Sequence, residues 1–206
     1  MNTELEQIAL IHYTNFKLIN IALSQYGITE IPGDEHNPEI LKWFHETGRK
    51  WVSTDETPNC DAFIDWVAMK AGGQPSPGLL AREWLKYGKV VKKPKLGDLV
   101  IFWRVSKDSI YGHVAIYIRE TAKYVYVLGA NQNNQVCIRA YRKDRVLGYR
   151  RLVLPMTVTD IFALTSQLSP AEKGELADLL HKEPTHDERT TKLLHEEGPG
   201  DHQSFA

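Results

Sequence analysis

Apolar residues recur at helical spacing from about Leu5 to Tyr26, with Phe16, Ile19, Leu23 and Tyr26 on one side and Gly27 placed as a C-terminal cap. This stripe is expected to face a core. A shorter helix opens at Asn37-Pro38-Glu39-Ile40, carries Leu41 and Phe44 on one face and stops at Gly48. The third runs out of the loop Asp55-Glu56-Thr57-Pro58-Asn59. Pro58 cannot sit in a helix interior and Asn59 is a favoured N-cap, while Phe63, Trp66 and Val67 follow at helical spacing. Cys60 therefore falls in the first turn, and Ala71-Gly72-Gly73 ends the helix. A fourth short helix is read from Ser76-Pro77, carrying Leu79, Leu80, Trp84 and Leu85.

From Pro94 the period changes to two. Strands are predicted at 99–103, 113–118, 124–128, 136–140 and 146–152, separated by turn residues, which reads as an antiparallel meander. Helices first and strands afterwards is the pattern of an α+β domain, and no Gly-rich phosphate fingerprint supports a dinucleotide fold. Beyond Pro155 two short amphipathic segments, 158–168 and 170–180, follow, the second opened by Ser169-Pro170-Ala171-Glu172. The expected organisation is a domain over 1–155, a helical extension over 156–182 and a disordered tail over 183–206.

Charge alters this picture little. Over 206 residues, 25 Lys and Arg stand against 26 Asp and Glu, a net charge of −1, which gives no electrostatic case for nucleic acid or an anionic membrane. The N-terminus has Glu4 and Glu6 where a signal peptide has basic residues, and no apolar run is long enough for a membrane span. The expectation is a protein made in the cytoplasm. Two cysteines, Cys60 and Cys137, make no disulfide framework, and the tail histidines His181, His186, His195 and His202 lack metal-ligand spacing, so neither metal nor cofactor is expected.

Chemistry enters through Cys60. A thiol in the first turn of a helix feels its positive end, which lowers the pKa and favours the thiolate. His113 opens the strand Gly112-His113-Val114-Ala115-Ile116-Tyr117-Ile118; Val114, Ile116 and Ile118 face the core, and His113, Ala115 and Tyr117 the other side. It is the candidate general base. A third polar group should fix its tautomer, and Asn131 or Gln132, at the end of the next strand, can present a carbonyl. Asp61, next to the thiol, would disfavour the thiolate unless its carboxylate is turned away.

Taken together, Thr29-Glu30-Ile31-Pro32-Gly33, Asp55 to Cys60, Pro94-Lys95-Leu96-Gly97-Asp98 with its strand, Gly112-His113-Val114, Leu128-Gly129-Ala130-Asn131-Gln132 and Val146-Leu147-Gly148-Tyr149-Arg150 resemble the CHAP and NlpC/P60 group of papain-like peptidoglycan hydrolases. The resemblance spans roughly residues 20–152. It implies N-terminal helices packed on an antiparallel sheet, Cys60 as nucleophile, His113 as base and then acid, and Asn131, favoured over its neighbour Gln132, as orienting group. It further implies cleavage of an amide bond in the peptide part of the cell wall without a metal; since no signal peptide is read, the protein is expected to act on the wall after release by lysis or specialised secretion.

A second class of reading is an inactive papain-like module that binds wall peptides, or a protein partner through the C-terminal helical extension. A transglutaminase-like transferase is a third, since a Cys-His pair does not choose the acyl acceptor.

Overall fold

A computed structural model describes residues 4–155 together with 160, 166 and 169–174; side chains at 4–10 and 12 lie outside the description. The chain divides into two compact units, 1–155 and 156–206.

Unit 1 begins with three helices, α1 (Glu4–Leu23), α2 (Pro38–Glu46) and α3 (Cys60–Lys70). A 3-10 turn over Ala81–Lys86 follows, then six strands: β1 (Lys89–Val91), β2 (Leu99–Trp103), β3 (Gly112–Glu120), β4 (Tyr124–Gly129), β5 (Cys137–Arg142) and β6 (Val146–Arg151). They form an antiparallel sheet in the order β1-β6-β2-β3-β4-β5. The fold is α+β, as the order of patterns predicts. It is not a simple meander, because β6 returns to pair with the free side of β2 and admits β1, a strand too short to read from periodicity.

α3 is the central helix. Its residues 60–68 are all buried, so the segment is packed on every side and not amphipathic. Val114 and Ile116 of β3 and Leu99 and Ile101 of β2 meet it, with Trp43 and Phe44 of α2. The other face of the sheet is covered too: Val100, Phe102, Ala115, Tyr117, Val125 and Val127 form a second cluster under Tyr141, Val146 and Tyr149. The two faces predicted for β3 are thus both apolar layers.

The predicted stripe of α1 is corrected. Of the predicted positions Ile19 packs on the core, but Phe16, Leu23 and Tyr26 are exposed at 60%, 44% and 55%, and the buried stripe is Thr14, Asn15, Leu18 and Ala22. Polar residues can face the core there because they are used: Asn15 Nδ2 donates to Leu96 O (2.7 Å) and Thr14 Oγ1 accepts from Leu154 N–H (3.3 Å). The fourth helix also starts later than predicted, at Ala81, since Ser76 is engaged elsewhere (below).

The loop Pro94–Asp98 shows why such a turn sits ahead of β2. Gly97 has φ +92, and a Cβ there would lie 2.5 Å from Asn15 Cβ. Asp98, fully buried, accepts from Lys95 N–H (2.7 Å) and takes a two-pronged contact from Arg151 (2.8 and 2.7 Å), tying the turn to β6. In unit 2, Ser169 and Glu172 form the expected capping box: Ser169 N–H donates to Glu172 Oε2 (2.8 Å) and Glu172 N–H to Ser169 Oγ (3.3 Å). Most of both amphipathic segments, and the tail with its histidines, lie outside the described residues.

Candidate active site

Cys60 is the first residue of α3, as predicted, but the loop before it is held differently from the expected cap. Asn59 makes no side-chain capping bond. Its amide donates instead to Glu30 Oε1 (2.9 Å) and Asp55 O (3.3 Å). Asp55, fully buried, accepts from the N–H groups of Ile31 (2.9 Å) and Asn37 (2.8 Å) and contacts His36 Nδ1 (3.2 Å). Burial works against the Asp55 carboxylate, but these donors outweigh it and hold its pKa below the usual range. The two motifs at 29–33 and 55–60 are therefore one structural clasp that fixes where α3 begins.

The first bond of α3 runs from Phe63 N–H to Asn59 O (2.9 Å), which leaves the Cys60 N–H without an intrahelical acceptor. The thiol is 4% exposed. The expectation of a lowered pKa is not met: burial raises it, Arg104 and the backbone N–H groups of Val114 and Asp61 act to lower it, Asp61 to raise it, and burial prevails. A helix end moves a pKa far less than loss of water does.

His113, in register with Phe102 of β2, is fully buried and stacks on Tyr141 (5.0 Å between ring centres), which also stacks on Phe102 (4.9 Å). Its Nε2 lies 3.0 Å from Gln132 Oε1. Gln132 Nε2 donates to Gly129 O (3.0 Å) and Cys137 O (2.5 Å), so the amide cannot turn over and Oε1 must face the ring. An acceptor at that position requires the proton on Nε2, and Nδ1 is left with the basic lone pair.

The partner of His113 is thus Gln132 and not the favoured Asn131. Asn131 takes φ +54 and makes no hydrogen bond to the ring. It supplies the left-handed turn that swings the next residue back under the sheet, a role its side chain tolerates.

Nδ1 has a partner that the sequence reading passed over. Arg104, the residue after β2, places a guanidinium nitrogen 3.3 Å from it. Burial first, then the charges of Arg104 and Arg139, push the His113 pKa down to about 3, against a raising effect from Gln132. No hydrogen bond joins Cys60 to His113, and the two groups rest as neutral thiol and neutral imidazole. The antiparallel register could have shown Arg104: Phe102 faces His113 and Trp103 faces Gly112, so Arg104 must leave the strand beside them.

Asp61 is accounted for by a buried cluster below α3. Its Oδ2 accepts from Ser76 Oγ (3.3 Å). Asp65 accepts from Ser76 N–H (2.8 Å) and pairs with Arg49 (2.5 Å). Burial and the neighbouring Asp65 raise the Asp61 pKa to about 8, which favours the neutral carboxyl and lessens the negative charge beside the sulfur near neutral pH. The Trp84 indole N–H lies near enough to Asp61 to act on it, yet makes no well-aligned hydrogen bond.

The thiol opens on a cleft of about 210 Å³ walled by Pro58, Leu80, Arg104, Val105, Tyr111 and Gly112. A Cβ on Gly112 would lie 2.8 Å from Phe102 O and from Arg82 Cγ, so this wall needs glycine. Among the described residues no group of His, Cys, Asp and Glu could hold a metal ion, and no helix is long and apolar enough to cross a membrane.

Solved structures similar to this chain include two P60-type proteins. One is a lipoprotein-like protein of the NLP/P60 family from Staphylococcus aureus, 21% identical, with a TM-score of 0.40, covering 69% of this chain and 42% of its own. This chain therefore spans less than half the length of that protein. The other is the P60 domain of an antigen from M. avium paratuberculosis, 18% identical, with a TM-score of 0.41, covering 71% of this chain and 98% of its own. No curated protein matches. Residues 50–131, the segment that holds Cys60, Arg104 and His113 and stops one residue short of Gln132, match the CHAP domain family.

Proposed function

We propose that this protein is a cysteine hydrolase that cleaves an amide bond in the peptide part of peptidoglycan, with Cys60 as nucleophile, His113 as base and acid, and Gln132 as the group that orients the ring. The observation that carries the reading is the contact between His113 Nε2 and Gln132 Oε1, because it leaves Nδ1 as the basic nitrogen within a segment that matches the CHAP domain.

In the proposed reaction Nδ1 takes the Cys60 proton as sulfur attacks the scissile carbonyl. The oxyanion is received by the Cys60 N–H at the start of α3, which has no intrahelical acceptor. The proton on Nδ1 passes to the amine as the C–N bond breaks, leaving a thioester. Water, giving its proton to Nδ1, releases the acid and restores the thiol. Stacking on Tyr141, itself stacked on Phe102, would hold the ring in place throughout. The protein would reach the wall through lysis or specialised secretion.

Digestion of purified sacculi followed by mass spectrometry tests the reading. New amine and carboxyl ends are expected with the wild type and none with Cys60→Ala; equal patterns from the two would defeat it. A second reading, a binding module with an idle site, is favoured by one observation: the basic nitrogen is occupied by Arg104 and not by the thiol. Retention of the protein on sacculi without any new ends would support it.

A further inference from the structure

Arg104 is a cation on the wall of this cleft. Among the described residues no carboxylate lies within ion-pair distance of it, although Asp98 and Asp65 hold Arg151 and Arg49 closely. Among the described residues its side-chain hydrogen-bonding contact is with His113 Nδ1. That leaves most of a five-donor fork aimed at a cleft whose walls carry no acid. A planar, permanently charged fork in an apolar cleft beside a nucleophile matches a carboxylate, which it grips with two parallel hydrogen bonds.

The present contact also conflicts with catalysis. Nδ1 has one lone pair, and while a guanidinium N–H donates to it, it cannot accept the Cys60 proton. Arg104 must leave for the base to work. The backbone next to it is under strain: Val105, a β-branched residue, has φ +66, with Ser106 N–H bonded to Arg104 O (2.8 Å) in a tight γ-turn. A non-glycine residue held there next to a reactive site stores strain that a backbone change on ligand binding can release.

We propose that Arg104 selects substrates bearing a free carboxylate close to the scissile amide, and that this carboxylate draws the guanidinium off His113 Nδ1, so that the base is exposed only when such a substrate is bound. The inference rests on the hydrolase reading for the kind of substrate. It extends that reading by assigning a specificity-determining residue and a chemical class, an acidic peptide.

Two measurements separate its failure from failure of the hydrolase reading. The first compares a synthetic stem peptide with the same peptide whose carboxylates are converted to amides. Wild type should lose at least about tenfold in kcat/KM on amidation, the worth of one charge-assisted pair. Arg104→Gln should be slow on the free acid and treat both peptides alike, and Arg104→Lys should fall between. A wild type that cleaves both equally, or an Arg104→Gln protein that keeps the preference, overturns the proposal.

The second needs no turnover. In ¹⁵N-labelled Cys60→Ala protein, the His113 Nδ1 resonance should move on addition of the free-acid peptide and stay in place with the amidated one. Equal responses, or none, overturn the role of Arg104 even if neither peptide is a substrate for the wild type; in that last case the hydrolase reading falls separately.

Discussion

Gln132 is held so that only its carbonyl can meet His113, and this one amide decides which ring nitrogen carries the free lone pair. Gln132→Ala is therefore expected to lower kcat/KM by roughly 10²-fold through loss of the correct tautomer, while Asn131→Gly, which suits φ +54, should leave it within about threefold. Steady-state kinetics on one peptide substrate checks both, and a larger loss at Asn131 would reverse the assignment. The positions of Cys60 and His113 were legible because a loop-to-helix junction and a strand start are local features. The choice between two adjacent amides was not, since it depends on a left-handed backbone turn that sequence alone does not fix at a particular asparagine. Arg104 escaped notice for another reason: its meaning lies in the pairing of β2 with β3, and a lone cation after a strand carries none.

At the scale of elements, α3 carries a buried pair of carboxyls, Asp61 and Asp65, with pKa values pushed up to about 8 and about 6, chiefly by burial. A carboxyl whose folded pKa exceeds its unfolded value binds more protons folded than unfolded. The stability contributed by Asp61 is then fully present below its ordinary value of 3.8 and is lost as pH rises through about 8. His113, with a lowered pKa, acts in the opposite sense but is common to wild type and variant. Asp61→Asn should therefore lose less unfolding free energy than wild type between pH 4 and pH 8, measured by urea denaturation; parallel pH profiles would contradict the protonated Asp61. The turn before β2 gives a second test. Gly97→Ala places a methyl against Asn15 at a positive φ and should destabilise the fold by at least about 2 kcal/mol, read from the same denaturation curves. The turn was legible from Pro94 to Asp98, but its partner Asn15 was not, because the periodicity of α1 pointed to Phe16 and Leu23, whose apolar surface stays in water.

At the scale of the whole molecule, helices and an antiparallel sheet were readable from the change of period at Pro94, and the return of β6 to β2 was not. Alternation tells which residues share a face; it does not tell which neighbour a strand chooses. That return matters to the site. With β6 beside β2, both faces of β2 and β3 are covered, and His113 is shut into an apolar layer where its charge is suppressed and its Nδ1 meets Arg104. The central claim is that the Cys60 sulfur becomes acylated by a cell-wall peptide. Rapid acid quench of the protein with peptidoglycan fragments, followed by mass spectrometry of its proteolytic peptides, tests this most directly. The account predicts an acyl adduct on the peptide containing Cys60, removed by hydroxylamine and absent from the peptide containing Cys137. Amide cleavage with no adduct on Cys60, unchanged in Cys60→Ala, would contradict it.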